Sequence, residues 1–240
     1  MKHRPLAILA VLGGFATAAR GQATLVAHWK FDEASGTTAA DAAGSNAGTV
    51  VNGALFVPGL AGNAISINKA SNQFVTMGKV LPMGAGDFTL GAWIKTNSTV
   101  AEYFIGRHFA TVVAGYMLGI NADGPYGTAN RSHFYTADAP GQEAKGTSIV
   151  NDNQWHHIVG VYTQGGPSRI YVDGAPVEGN GSANAMVVAD AAFAIGGIEF
   201  AGSGVKSVYN GLVDDAQVYE GALCSWEVQW LFEHPGQGLP

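Results

Sequence analysis

"HHIVGVYTQGGPSRIYVDGAPV", residues 156–177, decides what kind of backbone this chain builds. "HHIVGVYT" and "SRIYV" are rich in β-branched and aromatic residues and bounded by Gly and Pro, the pattern of strands. Between "RIYV" and "APV" stand Asp173 and Gly174, a two-residue hairpin signal because both turn positions need positive φ.

The same reading extends in both directions. "TLVAHWKF" (24–31) sets Leu25, Ala27, Trp29 and Phe31 on one face against Val26, His28 and Lys30. "DFTLGAWIKT" (87–96) sets Phe88, Leu90, Ala92 and Ile94 against Thr89, Gly91, Trp93 and Lys95. "GYMLGIN", "SHFYTAD", "AFAIGG" and "GLVDDAQVY" follow the same style, each ended by turn residues. Many short strands with regular turns predict an all-β, two-sheet antiparallel jelly-roll sandwich. One exception is "ALCSWEVQWLFEH" (222–234), where Leu223, Trp226, Trp230 and Leu231 fall at helical spacing. A short C-terminal helix packed against the end of the sandwich is expected there.

Composition agrees. The 240 residues are 47% hydrophobic and 12% charged, with 34 glycines for tight turns and enough apolar side chains for a two-layer core. The single cysteine, Cys224, allows no intramolecular disulfide, so packing must supply stability. The chain opens with basic residues, an apolar run from Leu6 to Ala18 and small residues before Ala23, the plan of a signal peptide over residues 1–23. Residues 24–240 then form one exported domain. Losing Lys2, Arg4 and Arg20, with no acid in that segment, takes the formal charge from -6 to -9. Such a balance argues against nucleic acid and anionic membrane surfaces as partners. No later stretch approaches the ~20 apolar residues of a membrane span.

Taken together, "HWKFDEASGTTAADAAG", "FTLGAWIKT", "QWHHIVGVY" with "RIYVDGAPV", and "GLVDDAQVYEGALCSWEVQWLF" resemble the laminin-G-like jelly-roll family within the concanavalin A-like lectin and glucanase fold. They occur in the family's order along nearly the whole chain after residue 23. The fold hosts lectins, glycosidases, lyases and adhesion modules, so function must be argued from sites. Where the family has Ser or Thr before the last helix, this chain has Cys224, three residues ahead of Glu227. A poor acceptor there weakens the helix start by about 1 kcal/mol, unless Ser225 takes over.

The acids come first. A glycosidase dyad on one strand needs carboxylates at alternate positions, whereas Asp214 and Asp215 are adjacent and expected on opposite faces. The resemblance implies that Asp214 lies near the "FDEASGTTAADAAGSN" loop, whose Asp32, Asp41 and Asn46 offer hard oxygen donors. A structural calcium ion shared by Asp32, Asp41, Asn46 and Asp214 is one expectation; ordinary turn chemistry is the other. Neighbouring His156 and His157 diverge on a strand and cannot chelate one zinc ion together; Trp155 and His157 are expected to pack the sandwich. Arg131, His133 and Tyr135 alternate in "RSHFY" and would suit a uronate lyase, but the "QIH"-type strand of such lyases in this fold is missing. No G-x-S-x-G elbow and no phosphate-binding glycine loop occurs.

The functional expectation is a secreted, non-catalytic module that recognises carbohydrate or another cell-surface component. A purely structural or adhesive protein is the alternative, and a polysaccharide lyase or glycoside hydrolase the third. Trp93, Tyr103, Tyr116, Tyr126, Phe134 and Tyr135 are the candidate stacking platforms, with Arg131 and His133 as polar partners. Cys224 is expected to be a buried, inert thiol rather than a reactive one.

Overall fold

Asp173 and Gly174 turn at φ 52° and 76°, the two positive angles that the hairpin demands. The computed structural model describes residues 23–84, 86–109, 114–121, 128–136, 143–178, 188–200 and 204–240. Residues 1–22 of the proposed signal peptide and Tyr126 lie outside them.

The chain enters through β1 (Thr24–Trp29), β2 (Thr38–Ala39), β3 (Gly48–Val51) and β4 (Leu55–Pro58). Then come β5 (Asn63–Ile67), β6 (Phe74–Gly78), β7 (Phe88–Lys95) and β8 (Glu102–Phe109). The middle holds β9 (Ala114–Ile120), β10 (Ser132–Tyr135), β11 (Ala144–Lys145), β12 (Trp155–Tyr162) and β13 (Arg169–Val172). Last are β14 (Ala175–Glu178), β15 (Phe193–Ile195), β16 (Gly197–Phe200), β17 (Gly204–Ser207), β18 (Gly211–Glu220) and one helix, α1 (Ser225–Glu233).

These strands form an eight-stranded sheet, in the order β14-β13-β12-β7-β18-β5-β4 with β1 also on β18, and a ten-stranded sheet running from β11 through β10, β9, β8, β15, β6 and β3 to β2, with β16 on β8 and β17 on β16. Apart from one parallel bridge between Glu199 and Phe109, the pairings are antiparallel. Phe88, Leu90, Ala92 and Ile94 of β7 point inward with Trp29, Ile158 and Val218; Phe104, Tyr116, Leu118, Phe134 and Phe193 meet them from the other sheet. Trp29 stacks on Phe193 across the gap at 5.3 Å. The expected jelly-roll sandwich is the structure.

Two details depart from the alternation. A bulge between Leu25 and Ala27 shifts the register of β1. Ala27 and Trp29 therefore enter the core, while Leu25 joins a second cluster outside the eight-stranded sheet. The helix also does not cap the end of the sandwich. It lies over the outer face of the eight-stranded sheet, where Leu223, Val228 and Leu231 pack on Val159, Val161, Tyr171 and Tyr219. Phe232 continues this cover onto Trp93, at 5.4 Å. The reason is chemical: the outward residues of β12, β13 and β18 include enough Val and Tyr to require a cover. Among the described residues no helix is long and apolar enough to cross a membrane.

Candidate functional site

The adjacent aspartates sit where β18 changes partner. Gly211–Val213 pair with β5 on one edge, and Ala216–Glu220 pair with β1 on that same edge. β1 leaves at Phe31, which turns with φ 58°, and β5 begins only at Asn63. Carboxylates fill the gap. Asp214 Oδ2 accepts hydrogen bonds from the backbone N–H groups of Leu60 (2.8 Å) and Ala61 (3.1 Å), and Asp32 Oδ1 accepts one from Asn63 (2.9 Å). Side-chain oxygens thus stand in for a missing strand.

A second bulge, between Asp214 and Gln217 and with Asp215 at φ 48°, corrects the expectation of opposite faces. Asp214 is directly across from Trp93, whose ring lies under Phe232, so it points to the outer side of the sheet. Asp215 turns to that side too. One of its oxygens is bonded to His28 Nε2 and to Gln217 Nε2, and the other accepts from the Gly236 N–H at 2.7 Å. Gln217 in turn donates to the Gln237 carbonyl and accepts from the Tyr219 hydroxyl. This buried network fastens the segment after α1 to the sheet.

The two carboxyls respond oppositely. Burial, reinforced by the charge of Asp215, pushes Asp214 up to about 6 despite its two N–H bonds; its Oδ1 is buried without a hydrogen-bond partner. Burial pushes Asp215 upward as well, but His28, Gln217 and Gly236 outweigh it and hold the group below its usual range. With Asp214 and Asp215 only 0% and 3% exposed, neither faces a cleft in which a glycosidic bond would fit.

The expected calcium site does not assemble. Asp41 Oδ1 accepts from the N–H groups of His28, Ala43 and Gly44, and Oδ2 from the N–H and side-chain amide of Asn46. Burial tends to raise the Asp41 carboxyl, yet these backbone donors together hold it below its usual value. The loop closes so tightly that a Cβ on Gly44 would lie 2.7 Å from the Val26 carbonyl and 2.8 Å from Asp41 Oδ2. Asn46 offers its side-chain amide nitrogen to Asp41, and its backbone carbonyl accepts from Trp29 Nε1. Both Asp41 oxygens therefore face N–H donors, a setting that suits a carboxylate anchor and does not fit a cation. Among the described residues no three His, Cys, Asp or Glu side chains are grouped to hold a metal.

The remaining candidates divide by layer. Tyr116 and Phe134 are core residues, and Trp93, only 5% exposed, packs in a triangle with His157 and Phe232, so these three are not open platforms. His157 packs on the outside of the eight-stranded sheet, while His156 binds Asp173 and Asp152. Arg131 is half-buried and precedes β10 instead of sharing its face.

His133, Tyr135 and Tyr103 do come together, on the outer side of the ten-stranded sheet. Tyr103, Gly119, His133 and Lys145 form one row across β8, β9, β10 and β11. Tyr103 meets His133 edge-on at 5.6 Å, and His108 meets Tyr135 edge-on at 5.3 Å. Glycine forms the floor: a Cβ on Gly119 would come within 2.6 Å of both the His133 and Tyr103 rings. Met117 and Ile198 pack beside Tyr135. Burial lowers His108 to about 4, and burial with the Lys145 charge lowers His133 to about 4, so both imidazoles are neutral at pH 7. Both ring nitrogens of His108 and Nδ1 of His133 are buried without hydrogen-bond partners. Tyr103 and Lys145 are half exposed and open the row at its two ends. His108 escapes sequence reading because a bulge between Tyr103 and Ile105 breaks the alternation of β8.

A two-sheet sandwich with its helix on the outside defines a jelly-roll domain of the lectin–glucanase type. The chain belongs to the concanavalin A-like lectin/glucanases superfamily, whose laminin-G profile matches residues 68–229. No curated protein gives a sequence match. Among solved structures, domain 4 of the extracellular arabinanase AbnA from Geobacillus stearothermophilus, determined with arabinotriose, is similar at TM-score 0.61 and 20% identity, covering 87% of this chain and 98% of that one. The binding domain of Paraclostridial Mosquitocidal Protein 1 aligns at TM-score 0.65 and 16% identity, over 87% of this chain and 52% of that one. Trypanosoma rangeli sialidase aligns at TM-score 0.58 and 19% identity, over 87% of this chain but 32% of the sialidase. At such identities the likeness concerns the fold, which binding domains and enzymes share.

Proposed function

We propose that this chain is an exported, non-catalytic module that recognises carbohydrate through the outer face of its ten-stranded sheet. The row Tyr103–Gly119–His133–Lys145 carries the reading. It sets the partly exposed Tyr103 ring, suited to the apolar face of a sugar, in one row with the partly exposed Lys145, while buried His133 between them meets the Tyr103 ring edge-on and holds it in place. A domain of similar fold crystallised with arabinotriose agrees with it. Turnover is the competing reading because a sialidase contains the same fold. Against it stand neutral, buried His133 and the enclosed carboxylates of β18.

The test is affinity electrophoresis in soluble arabinan, xylan and β-glucan. Tyr103→Ala is expected to weaken retention by one of these about 10-fold, the loss of a stacking contact worth about 1.4 kcal/mol. Unchanged retention in Tyr103→Ala would remove the row from the site.

A further inference from the structure

We propose a second sugar-stacking site on the exposed side of α1, with Trp226 as the open platform and Trp230 beside it. Residues four apart share one side of a helix, so Trp226, Trp230 and the C-terminal cap His234 line up along it. The opposite side is taken up by Val228 and Leu231, which are buried on the sheet, and Trp230 is partly buried against the same cluster, which leaves Trp226 as the open ring. Trp226 is 61% exposed and is the one aromatic among the exposed large apolar side chains of the described residues. Its ring supports little of the fold, and Ala or Glu would favour the helix more. Trp230 is held in place: His234 stacks on it at 4.1 Å and 12°, and His234 Nδ1 donates to the Trp230 carbonyl at 2.8 Å. In the neutral tautomer that bond leaves Nε2 as an acceptor at the edge of the strip. Gln229 and Glu233, joined to each other at 2.8 Å, add amide and carboxylate groups next to the indoles.

The chemistry selects the occupant. A stable protein partner covers roughly 800 Å² on each side, whereas an aromatic side chain supplies about 150–250 Å² and the neighbours here are polar. Glu227, Glu233 and a formal charge of -6 repel anionic lipids and acidic polymers. Flat rings bordered by hydroxyl-binding groups suit the pyranose faces of a neutral polysaccharide. This inference rests on the carbohydrate reading above but on a different face, since α1 and the Tyr103–His133 row lie outside opposite sheets.

The experiment uses the full chain, Trp226→Ala and Tyr103→Ala, in affinity electrophoresis with soluble β-glucan, xylan and arabinan. Sedimentation velocity and thermal melts accompany it. Trp226→Ala is expected to melt like the parent and to lose about 10-fold in retention, with polysaccharide shielding Trp226 from acrylamide quenching in the parent protein. If Tyr103→Ala loses retention and Trp226→Ala keeps it, the strip is overturned and the carbohydrate reading stands. No retention of the parent by any of these polymers would overturn both. If Trp226→Ala converts a dimer to a monomer, the strip contacts a second copy and the sugar assignment is wrong.

Discussion

Asp214 and Asp41 show how one residue type serves two electrostatic settings. Asp41 is surrounded by N–H donors and gains from being charged; Asp214 is buried with one oxygen unmatched and is penalised for it. The sign of each pH effect follows. The carboxyl of Asp214, raised from 3.8 to about 6, keeps its proton longer in the folded than in the unfolded chain. Its contribution is therefore most favourable below pH 4 and is lost as pH rises from about 4 to 6. Asp214→Asn retains an acceptor for Leu60 and Ala61 without the charge. In urea titrations its stability is expected to gain on the parent's between pH 4 and 7, while buried His108, His133 and His157 act equally in both chains. A constant difference across that range would contradict the buried charge. Asp41→Asn, by contrast, weakens several charge-assisted bonds and is expected to destabilise by about 1–3 kcal/mol at pH 7. Melts of the parent in EDTA and in calcium are expected to superimpose; a rise of several degrees with calcium would restore the metal site. The sequence marked these aspartates as special, but not their surroundings. Backbone N–H donors from residues 13 positions away (His28) and 154 positions away (Leu60) leave no local signal.

At the scale of elements, alternation was readable wherever a strand was regular. β7 behaves as its sequence predicts, residue by residue, because its neighbour β12 keeps unbroken register with it from Phe88 to Lys95. Alternation failed at bulges in β1, β8 and β18, where one extra residue moves the following side chains to the other face. No residue type announces those bulges. The helix was readable from Leu223, Trp226, Trp230 and Leu231, but spacing alone assigned all four to packing; only the sheet beneath separates buried Leu231 from exposed Trp226. At its start the departure at Cys224 is real. Cys224 is the N-cap, Glu227 accepts its N–H at 2.7 Å, and Ser225 remains the first helical residue without replacing it. The thiol is half-buried, not enclosed, and burial followed by Glu227 raises it above the usual thiol value. Cys224→Ser supplies a better acceptor and is expected to raise stability by about 0.5–1 kcal/mol in urea titration. No gain would mean that the sulfur packs better than an oxygen would bond.

The whole molecule is a sandwich whose conspicuous acids, Asp41, Asp214 and Asp215, are committed to holding edges and loops together. The carboxylates of β18 replace a strand and fasten the C-terminal segment. The outer faces of the two sheets differ: one carries α1 and its tryptophans, the other the Tyr103–His133 row. Among the described residues neither arrangement supplies an accessible pair of acids, and the proposal of recognition without turnover is the central claim. The most direct test is titration calorimetry of the purified chain with neutral polysaccharides, with reducing ends followed in the same samples over a day. The account predicts saturable heat with one polysaccharide class and no new reducing ends. Release of reducing ends that disappears in Asp214→Asn or His133→Ala would contradict it.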